Sequence, residues 1–275
     1  MSRELERALA ELHRGRSPGG RRELQAYTIE GTRLLERALR AGAGLRTAVV
    51  GRGLTADGGG RARALLDALE EAPSCTLLHA TDSQLRTLTE GRTYGDVLAL
   101  VELPPVPALS DCLLPDRHGR PATLLAAHDA EDPGNVGALL RTALASGAGA
   151  FIALGKTDPY HPKAVRTSMG SLFKLPVLER TDGATFLEEL AQLGGESWAA
   201  VARGGELLPA CERGPRPAVL LLGSEAHGLP PTWLEQVERR VTIPTSDQVD
   251  SLSINAAAAV GLYELVGRRG CRDTK

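Results

Sequence analysis

Two hydrophobic patterns alternate along the second half of the chain. Short apolar runs without polar interruption are separated by segments in which apolar residues recur every three or four positions. The first pattern is typical of strands buried on both faces, and the second of helices that cover such strands. Together they predict an α/β domain whose parallel sheet carries helices on both sides. The predicted strands are residues 123–127, 150–154, 175–178, 198–201, 219–222 and 241–243, and the predicted helices are 135–146, 165–168, 185–193 and 254–266.

The first 103 residues predict a separate and smaller α/β unit. A helical pattern runs from Arg3 to His13, and Gly15–Gly20 is expected to break it. Gly58–Gly60 predicts a surface loop, and Thr81 or Asp82 is expected to cap a short helix. The other predicted elements are strands at 27–29, 47–50, 75–78 and 97–101 and helices at 34–39 and 61–70.

A proline-rich stretch separates the two patterns. Pro104, Pro105, Pro107, Pro115 and Pro121 lie in or beside a segment without usable periodicity. Such a composition is typical of an inter-domain linker. The predicted organisation is an N-terminal domain at 1–103, a linker at 104–120 and a C-terminal domain at 121–275.

Composition narrows the class of protein. The 275 residues are 42% hydrophobic and 24% charged, which is ordinary for a globular protein in water. No apolar run approaches the ~18 residues that span a bilayer, and the charged N-terminus does not resemble a secretory signal. The four cysteines are scattered without paired spacing, as expected of reduced thiols. We therefore expect a cytoplasmic location.

The net charge of −2 means that any contact with nucleic acid must come from a local basic patch. Residues 1–22 contain six arginines and three glutamates, a local excess of three positive charges. Arg14, Arg16, Arg21 and Arg22 are therefore candidate phosphate contacts. The alternative is that these arginines only solvate the exposed face of a helix.

Candidate chemistry lies after two of the predicted strands. Gly223-Ser224-Glu225 follows one strand and Pro244-Thr245-Ser246 follows another. Open parallel sheets bind ligands at the carboxyl ends of their strands, which favours a ligand site here. A phosphate-binding loop is disfavoured at Gly155-Lys156-Thr157, because Ala150 stands where its first glycine is required. The histidines show no metal-ligand spacing, so we expect no metal.

Asn135 and Arg141 lie at the start and in the middle of a predicted helix. Asn135 follows Asp132-Pro133-Gly134, so it is either a simple helix cap or a functional carboxamide. Arg141 lies at the edge of an apolar stripe, where it is either a surface residue or a positioned cation. The residues alone leave both alternatives open.

Three segments together resemble the motifs of the SpoU-type (TrmH-like) branch of the SPOUT methyltransferases. The likeness covers residues 122–268, and Ser168–Ser171 also resembles the middle segment of that family. A weaker likeness at residues 24–103, through Ile29–Leu34 and Gly95–Ala99, is to the RNA-binding N-terminal domain of some members. The matching motif residues are Asn135, Gly137, Arg141, Gly223, Glu225, Gly228, Ile243, Pro244, Ser251 and Leu252.

The resemblance implies a fold, a reaction and partners. It implies a C-terminal trefoil knot, a homodimer packed through the knotted region, and S-adenosylmethionine as the methyl donor. The implied reaction is methylation of a ribose 2′-hydroxyl, most often in ribosomal RNA. The alternatives are the same activity on tRNA, a non-catalytic RNA-binding member of the fold, or a different α/β transferase. Arg33, within the weaker N-terminal likeness, joins the candidate RNA contacts.

The resemblance also assigns roles to individual residues. Arg141 is expected to stabilise the developing 2′-oxyanion or to clamp a phosphate, because arginine stays protonated and is a poor proton acceptor. Glu225 is expected to orient Arg141 and Asn135, and the proton acceptor is not identified. The expected catalytic set is Asn135, Arg141, Glu225, Ser251, Ser253 and Asn255, and the expected donor-binding set is Leu222, Gly223, Ser224, Gly228, Ile243, Pro244, Ser251 and Leu252.

One position departs from the family pattern. The third motif usually reads Ser-Leu-Asn, whereas this chain has Ser251-Leu252-Ser253 and then Asn255. Two residues apart on a helix point about 200° away from each other, so Asn255 can replace Ser253 only if the helix begins at or after Ser253. We expect Ser253 to keep a weakened form of the role and Asn255 to pack or cap.

Overall fold

The computed structural model describes residues 2–56, 59–88 and 97–267. The chain divides into two compact units, the first comprising Met1–Pro105 and Tyr160–Phe173, and the second Val106–Pro159 and Lys174–Lys275. Gly58 of the predicted loop, and Gly95 and Asp96 of the weaker family likeness, lie outside the described residues. Within the described ranges, no helix has the length and apolar character needed to cross a membrane.

The first unit is built on a four-stranded mixed sheet. The strand order is β1-β4-β2-β3, in which β4 runs antiparallel to both of its neighbours and β2 runs parallel to β3. The hydrophobic pattern predicted most of these elements, because their buried positions recur at helical or strand spacing. The strands are β1 Ala26–Glu30, β2 Leu45–Gly51, β3 Thr76–Ala80 and β4 Val97–Glu102, and the helices are α1 Arg3–Arg14, α2 Pro18–Leu24, α3 Thr32–Arg40, α4 Arg52–Ala56, α5 Gly60–Glu70 and α6 Asp82–Leu88.

Helix α2 forms inside a stretch that was expected only to break the chain. Ser17 caps this helix by accepting a hydrogen bond from the Gly20 backbone N–H at 3.2 Å, and Pro18 occupies its first turn. A side chain at position 20 would lie 2.1 Å from the Arg14 carbonyl oxygen, so glycine permits this close approach. Helix α1 ends at Arg14 with Gly15 as its C-cap, so the predicted break is confirmed, whereas α2 was not predicted.

The second unit contains a seven-stranded sheet in which every described strand pair is parallel. Its order is β7-β6-β5-β10-β8-β11-β9, so the late strand β10 lies between β5 and β8. This sheet confirms the predicted α/β fold. The strands are β5 Thr123–His128, β6 Phe151–Leu154, β7 Val177–Arg180, β8 Glu196–Ala200, β9 Glu206–Leu207, β10 Ala218–Leu222 and β11 Arg239–Thr242. The helices between Leu109 and Leu262 are α7 Leu109–Cys112, α8 Pro133–Ser146, α9 Pro162–Thr167, α10 Gly183–Gln192, α11 Pro231–Gln236 and α12 Ile254–Leu262. A π-helical turn follows at Tyr263–Gly267.

The segment between β6 and β7 belongs to the first unit, although its flanking strands belong to the second. Glu30, which is 6% exposed, receives a hydrogen bond from Arg166 of this segment at 2.6 Å and another from Arg16 at 3.2 Å. The Tyr160 ring lies 5.0 Å from the Tyr27 ring. Buried charge pairing and ring contacts therefore attach residues 160–173 to β1.

The proline-rich stretch also contributes to the second unit. Helix α7 places Leu109, Cys112 and Leu113 in the hydrophobic core with Leu124 and Phe186. Helix α7 is only 4 residues long, which is too short to show a helical period, so the sequence pattern indicated only a linker.

Candidate active site

A cavity of about 490 Å³ opens at the carboxyl edge of the second sheet. Its walls are the ends of β8, β10 and β11 and the first turn of α12. This is the edge where open parallel sheets bind ligands. The lining residues are Ala200, Val201, Ala202, Leu222, Gly223, Ser224, Glu225, His227, Gly228, Ile243, Thr245, Ser251, Leu252, Ser253, Ile254 and Ala257.

Seven of the eight predicted donor-binding residues line this cavity, and Pro244 does not. Sequence reasoning missed the contribution of Ala200–Ala202, which follow β8. Parallel strands that neighbour each other in a sheet share a carboxyl edge, so β8 joins the site only because it pairs with β10 and β11. No motif marks these small residues in the sequence, whereas Thr245 and His227 lay inside motifs already recognised.

A closed loop forms one rim of the cavity. Ser224 and Gly228 exchange two backbone hydrogen bonds, of 3.2 and 2.9 Å, and the Ser224 hydroxyl accepts another from the His227 N–H at 3.1 Å. Gly228 has a φ of 68°, which favours glycine. A side chain at Gly223 would lie 2.0 Å from the Gly228 carbonyl carbon, so glycine is needed there for the loop to close. The loop thereby holds the side chains of Glu225 and His227 on a short tip.

Asn135, Glu225 and Asn255 form one chain of hydrogen bonds. Asn255 Nδ2 donates to Asn135 Oδ1 at 2.9 Å, and Asn135 Nδ2 donates to Glu225 Oε1 at 2.8 Å. The three side chains come from α12, α8 and the closed loop. Asn255 Oδ1 is buried and has no hydrogen-bond partner among the described residues. The fold thus gathers three predicted catalytic residues that are far apart in sequence.

The start of α12 fixes the positions of Ser253 and Asn255, where the third motif departs from the family pattern. The helix begins at Ile254, and the Ser253 hydroxyl caps it by accepting a hydrogen bond from the Ala256 N–H at 3.3 Å. Asn255 therefore lies in the first turn, where its carboxamide reaches Asn135. Of the two alternatives expected for Asn255, packing or capping, capping is excluded, because Ser253 is the cap.

Asn135 is not a helix cap either. Helix α8 begins at Pro133, and Asp132 caps it by accepting a hydrogen bond from the Gly134 N–H at 3.1 Å. Asn135 lies in the first turn of the helix, with its side chain engaged by Asn255 and Glu225. The capping alternative for Asn135 is therefore excluded.

Arg141 lies apart from this chain of hydrogen bonds. Its side chain is exposed on α8 and does not line the cavity. Within residues 2–56, 59–88 and 97–267, no hydrogen bond or ion pair holds its guanidinium. The expected contact with Glu225 is not present, since the described side-chain partner of Glu225 is Asn135.

His128, at the end of β5, belongs to the neighbouring core. Its ring lies 4.3 Å from the Trp233 ring. Burial lowers the pKa of His128, and the nearby Asp129 carboxylate opposes that shift. His128 is therefore packed against Trp233 and does not belong to the cavity lining.

The five arginines predicted to contact RNA lie in three different environments. Arg21 is only 5% exposed and donates to the Arg16 carbonyl oxygen at 3.1 Å, so its assignment to a basic surface was wrong. Arg16 is engaged by the buried Glu30, whereas Arg14 pairs with Glu23 at the surface. Arg22 and Arg33 are exposed, and within the described parts of the chain no ion pair holds their side chains.

Comparison with known proteins gives a consistent picture. The chain matches the SpoU rRNA Methylase family over residues 122–263. It is 27% identical over 252 residues to the 23S rRNA (guanosine(2553)-2′-O)-methyltransferase of Bacillus subtilis. That alignment covers 90% of this chain and 91% of the Bacillus protein. It is 33% identical over 142 residues, or 50% of each chain, to the 23S rRNA (uridine(2479)-2′-O)-methyltransferase of Streptomyces viridochromogenes.

The fold is similar to that of a solved relative. The crystal structure of the SpoU methyltransferase AviRb from Streptomyces viridochromogenes in complex with AdoMet superposes with a TM-score of 0.81, at 25% identity and 98% coverage of both chains. Among the curated relatives, the chain spans about half the length of some and nine-tenths of the Bacillus protein. The family match covers more than half of the chain and every residue that lines the cavity. The chain therefore belongs to the SpoU rRNA Methylase family.

Proposed function

We propose that this protein transfers a methyl group from S-adenosylmethionine to a ribose 2′-hydroxyl in ribosomal RNA. The observation that carries the proposal is the Asn255–Asn135–Glu225 chain of hydrogen bonds beside the cavity. The family match and the AdoMet complex of a similar structure support the same reaction. Ribosomal RNA is supported by the relatives from Bacillus and Streptomyces, which carry 23S rRNA 2′-O-methyltransferase names.

The cavity suits the methyl donor. Its volume of about 490 Å³ falls within the ~300–1,000 Å³ usual for small-molecule pockets. Leu222, Ile243 and Leu252 offer apolar surface to an adenine ring, and the hydroxyls of Ser224 and Thr245 can bond polar groups. When bound, the donor supplies a methyl group on a positively charged sulfur. The residues that would hold it are Leu222, Gly223, Ser224, Gly228, Ile243, Ser251 and Leu252.

The protein side chains supply position and charge. Asn135 is held at both ends of its carboxamide, so it presents a fixed surface to the acceptor ribose. Placing the acceptor oxygen in line with the methyl group accounts for much of the rate in such transfers. Arg141 remains free to contact RNA, where it stabilises developing negative charge or clamps a phosphate.

Methyl transfer can be tested directly with the full-length protein. We expect tritium from labelled S-adenosylmethionine to enter an unmodified 23S rRNA transcript as a 2′-O-methyl nucleoside, detected by nuclease digestion and mass spectrometry. A parallel reaction with unmodified tRNA tests the alternative substrate, and tRNA labelling alone would replace ribosomal RNA. Donor binding without any transfer would favour the non-catalytic alternative, whereas no donor binding by calorimetry would contradict the proposal.

We propose that the first unit contacts RNA through exposed arginines. Arg22 and Arg33 are the side chains best placed to do so, and Arg14 adds a charge shared only with the exposed Glu23. Replacing Arg22 and Arg33 by alanine should reduce the salt dependence of RNA binding by about one unit of slope each. Arg21→Ala is a poor test, because removing that buried side chain disturbs the fold.

We infer a knotted homodimer in the cytoplasm as the working form. The insertion of β10 between β5 and β8 is consistent with a threaded chain. Val260 and Tyr263, at the end of α12, are 40% and 57% exposed, which leaves apolar surface for a second copy. Light scattering after size-exclusion chromatography should give twice the chain mass, and Val260→Glu with Tyr263→Glu should give monomers. A cytoplasmic location accompanies the ribosomal RNA substrate.

A further inference from the structure

The cavity lining contains candidates for the group that removes the ribose proton. Two of the described lining side chains are ionisable, Glu225 and His227. Both lie on the tip of the closed loop between Ser224 and Gly228. A proton acceptor must lie within hydrogen-bond reach of the reacting hydroxyl, which makes these two side chains candidates.

The carboxylate of Glu225 is already engaged in a hydrogen bond. Its Oε1 accepts the hydrogen bond from Asn135 at 2.8 Å, and Asn135 is in turn held by Asn255. A carboxylate is also a weaker base than imidazole in neutral solution, and proton transfer is most efficient when the base titrates near the working pH. These two arguments leave Glu225 as the residue that holds Asn135.

His227 differs from Glu225 in that its side chain is not engaged by another residue of the described chain. Its backbone N–H is tied to the Ser224 hydroxyl at 3.1 Å, so the loop holds the residue in place. Its imidazole is exposed, and within residues 2–56, 59–88 and 97–267 no hydrogen bond or ion pair engages the ring. His128, the other histidine at this edge of the sheet, packs on Trp233 outside the cavity lining.

We propose that His227 accepts the proton of the ribose 2′-hydroxyl during methyl transfer. The inference rests on the proposed methyltransferase function. A neutral ring nitrogen of His227 takes the proton as the bond between oxygen and methyl carbon forms. The bond between that carbon and sulfur breaks, and sulfur keeps the electron pair. The imidazolium of His227 then returns the proton to solvent.

This role makes the reaction sensitive to pH. Only the neutral imidazole can accept a proton, so the rate should fall as the solution becomes acidic. Glu225 is the ionisable neighbour on the same loop. The charged residues next to the cavity lining in sequence are Arg203, which follows Ala202, and Asp247 and Asp250, which lie between Thr245 and Ser251.

The test compares the full-length protein with His227→Gln and His227→Ala, using an unmodified 23S rRNA transcript and labelled S-adenosylmethionine. We expect the single-turnover rate of His227→Gln to fall by about 10²–10⁴-fold, the usual contribution of general base catalysis. Donor affinity by calorimetry should stay within threefold, and the acid fall of the wild-type rate should disappear in the variant. Added imidazole should restore part of the rate of His227→Ala. His118→Gln, at an exposed histidine in the same unit, is the matched control and should match wild type.

Three results would overturn the inference while leaving the methyltransferase function intact. They are a His227→Gln rate within threefold of wild type, an acid fall that persists in the variant, or a loss confined to donor affinity. The last result would make His227 a donor-binding residue. By contrast, a wild-type protein that binds the donor but transfers no methyl group to 23S rRNA would count against the proposed function itself.

Discussion

Asn255 Nδ2 lies 2.9 Å from Asn135 Oδ1, which joins the first turns of two helices that are 120 positions apart in sequence. This bond occupies the acceptor end of the Asn135 carboxamide and leaves its donor end facing Glu225. Asn255 thus brings a carboxamide to Asn135, while Ser253 caps the helix.

Asn255→Ala should slow methyl transfer more than it destabilises the fold. Losing a buried partner of Asn135 costs about 1–3 kcal/mol, which corresponds to roughly a fivefold to hundredfold lower single-turnover rate if the cost appears in the transition state. Ser253→Ala should instead lower the free energy of unfolding by about 1 kcal/mol, because it removes a helix cap. Single-turnover kinetics and urea unfolding separate the two variants. The opposite pattern would return the catalytic contact to Ser253.

Arg141→Ala should reduce the single-turnover rate by about 10²–10³-fold while donor affinity changes little, because one oxyanion-stabilising donor contributes that much. Arg141→Lys should recover only part of the rate, since lysine keeps the charge but loses the planar fork. Lys174→Ala, which removes an exposed cation of the same unit, serves as the control. An Arg141→Ala rate within threefold of wild type would identify Arg141 as a surface residue without a catalytic role.

Gly223→Ala should abolish donor binding with little loss of secondary structure. The new methyl group would lie 2.0 Å from the Gly228 carbonyl carbon, so the loop between Ser224 and Gly228 could not stay closed. Gly214→Ala is the matched control, because its added carbon meets its nearest neighbour at an ordinary 3.5 Å. Calorimetry with S-adenosylmethionine measures the effect. Undiminished affinity in Gly223→Ala would mean that the closed loop does not shape the donor site.

Asp116 should titrate well below ordinary aspartates. The backbone N–H of Arg120, together with the Arg120 side chain and the His118 N–H, lowers the pKa of Asp116 to about 2. Because the folded-state pKa lies below the unfolded value, the contribution to stability is present above about pH 4 and is lost as the pH falls through about 2. NMR titration of the Asp116 carboxyl measures this directly, and Arg120→Ala should raise the value toward the ordinary one. An ordinary pKa in the wild-type protein would contradict the turn geometry at residues 116–120.

Local patterns in the sequence determined much of the second unit. Uninterrupted apolar runs predicted β5, β6, β8, β10 and β11 within a few residues, because a strand buried on both faces tolerates few polar side chains. The motif residues Gly223, Ile243 and Leu252, which were expected to share a site, line one cavity. That placement depends on a general property of parallel sheets, in which the carboxyl ends of strands share an edge.

Tertiary structure alone decided the remaining features, because each depends on groups that are distant in sequence. The sequence pattern indicated a surface cation at Arg21, whose side chain is in fact buried. Residues 160–173 pack with the first unit through Glu30 and Tyr27. The end of β8 lines the cavity only because β10 enters the sheet beside it. The different contacts of Ser253 and Asn255 depend on where the chain turns into α12 and on the position of Asn135 on α8. Periodicity reports which face of an element is apolar, whereas these contacts depend on how the elements are packed together.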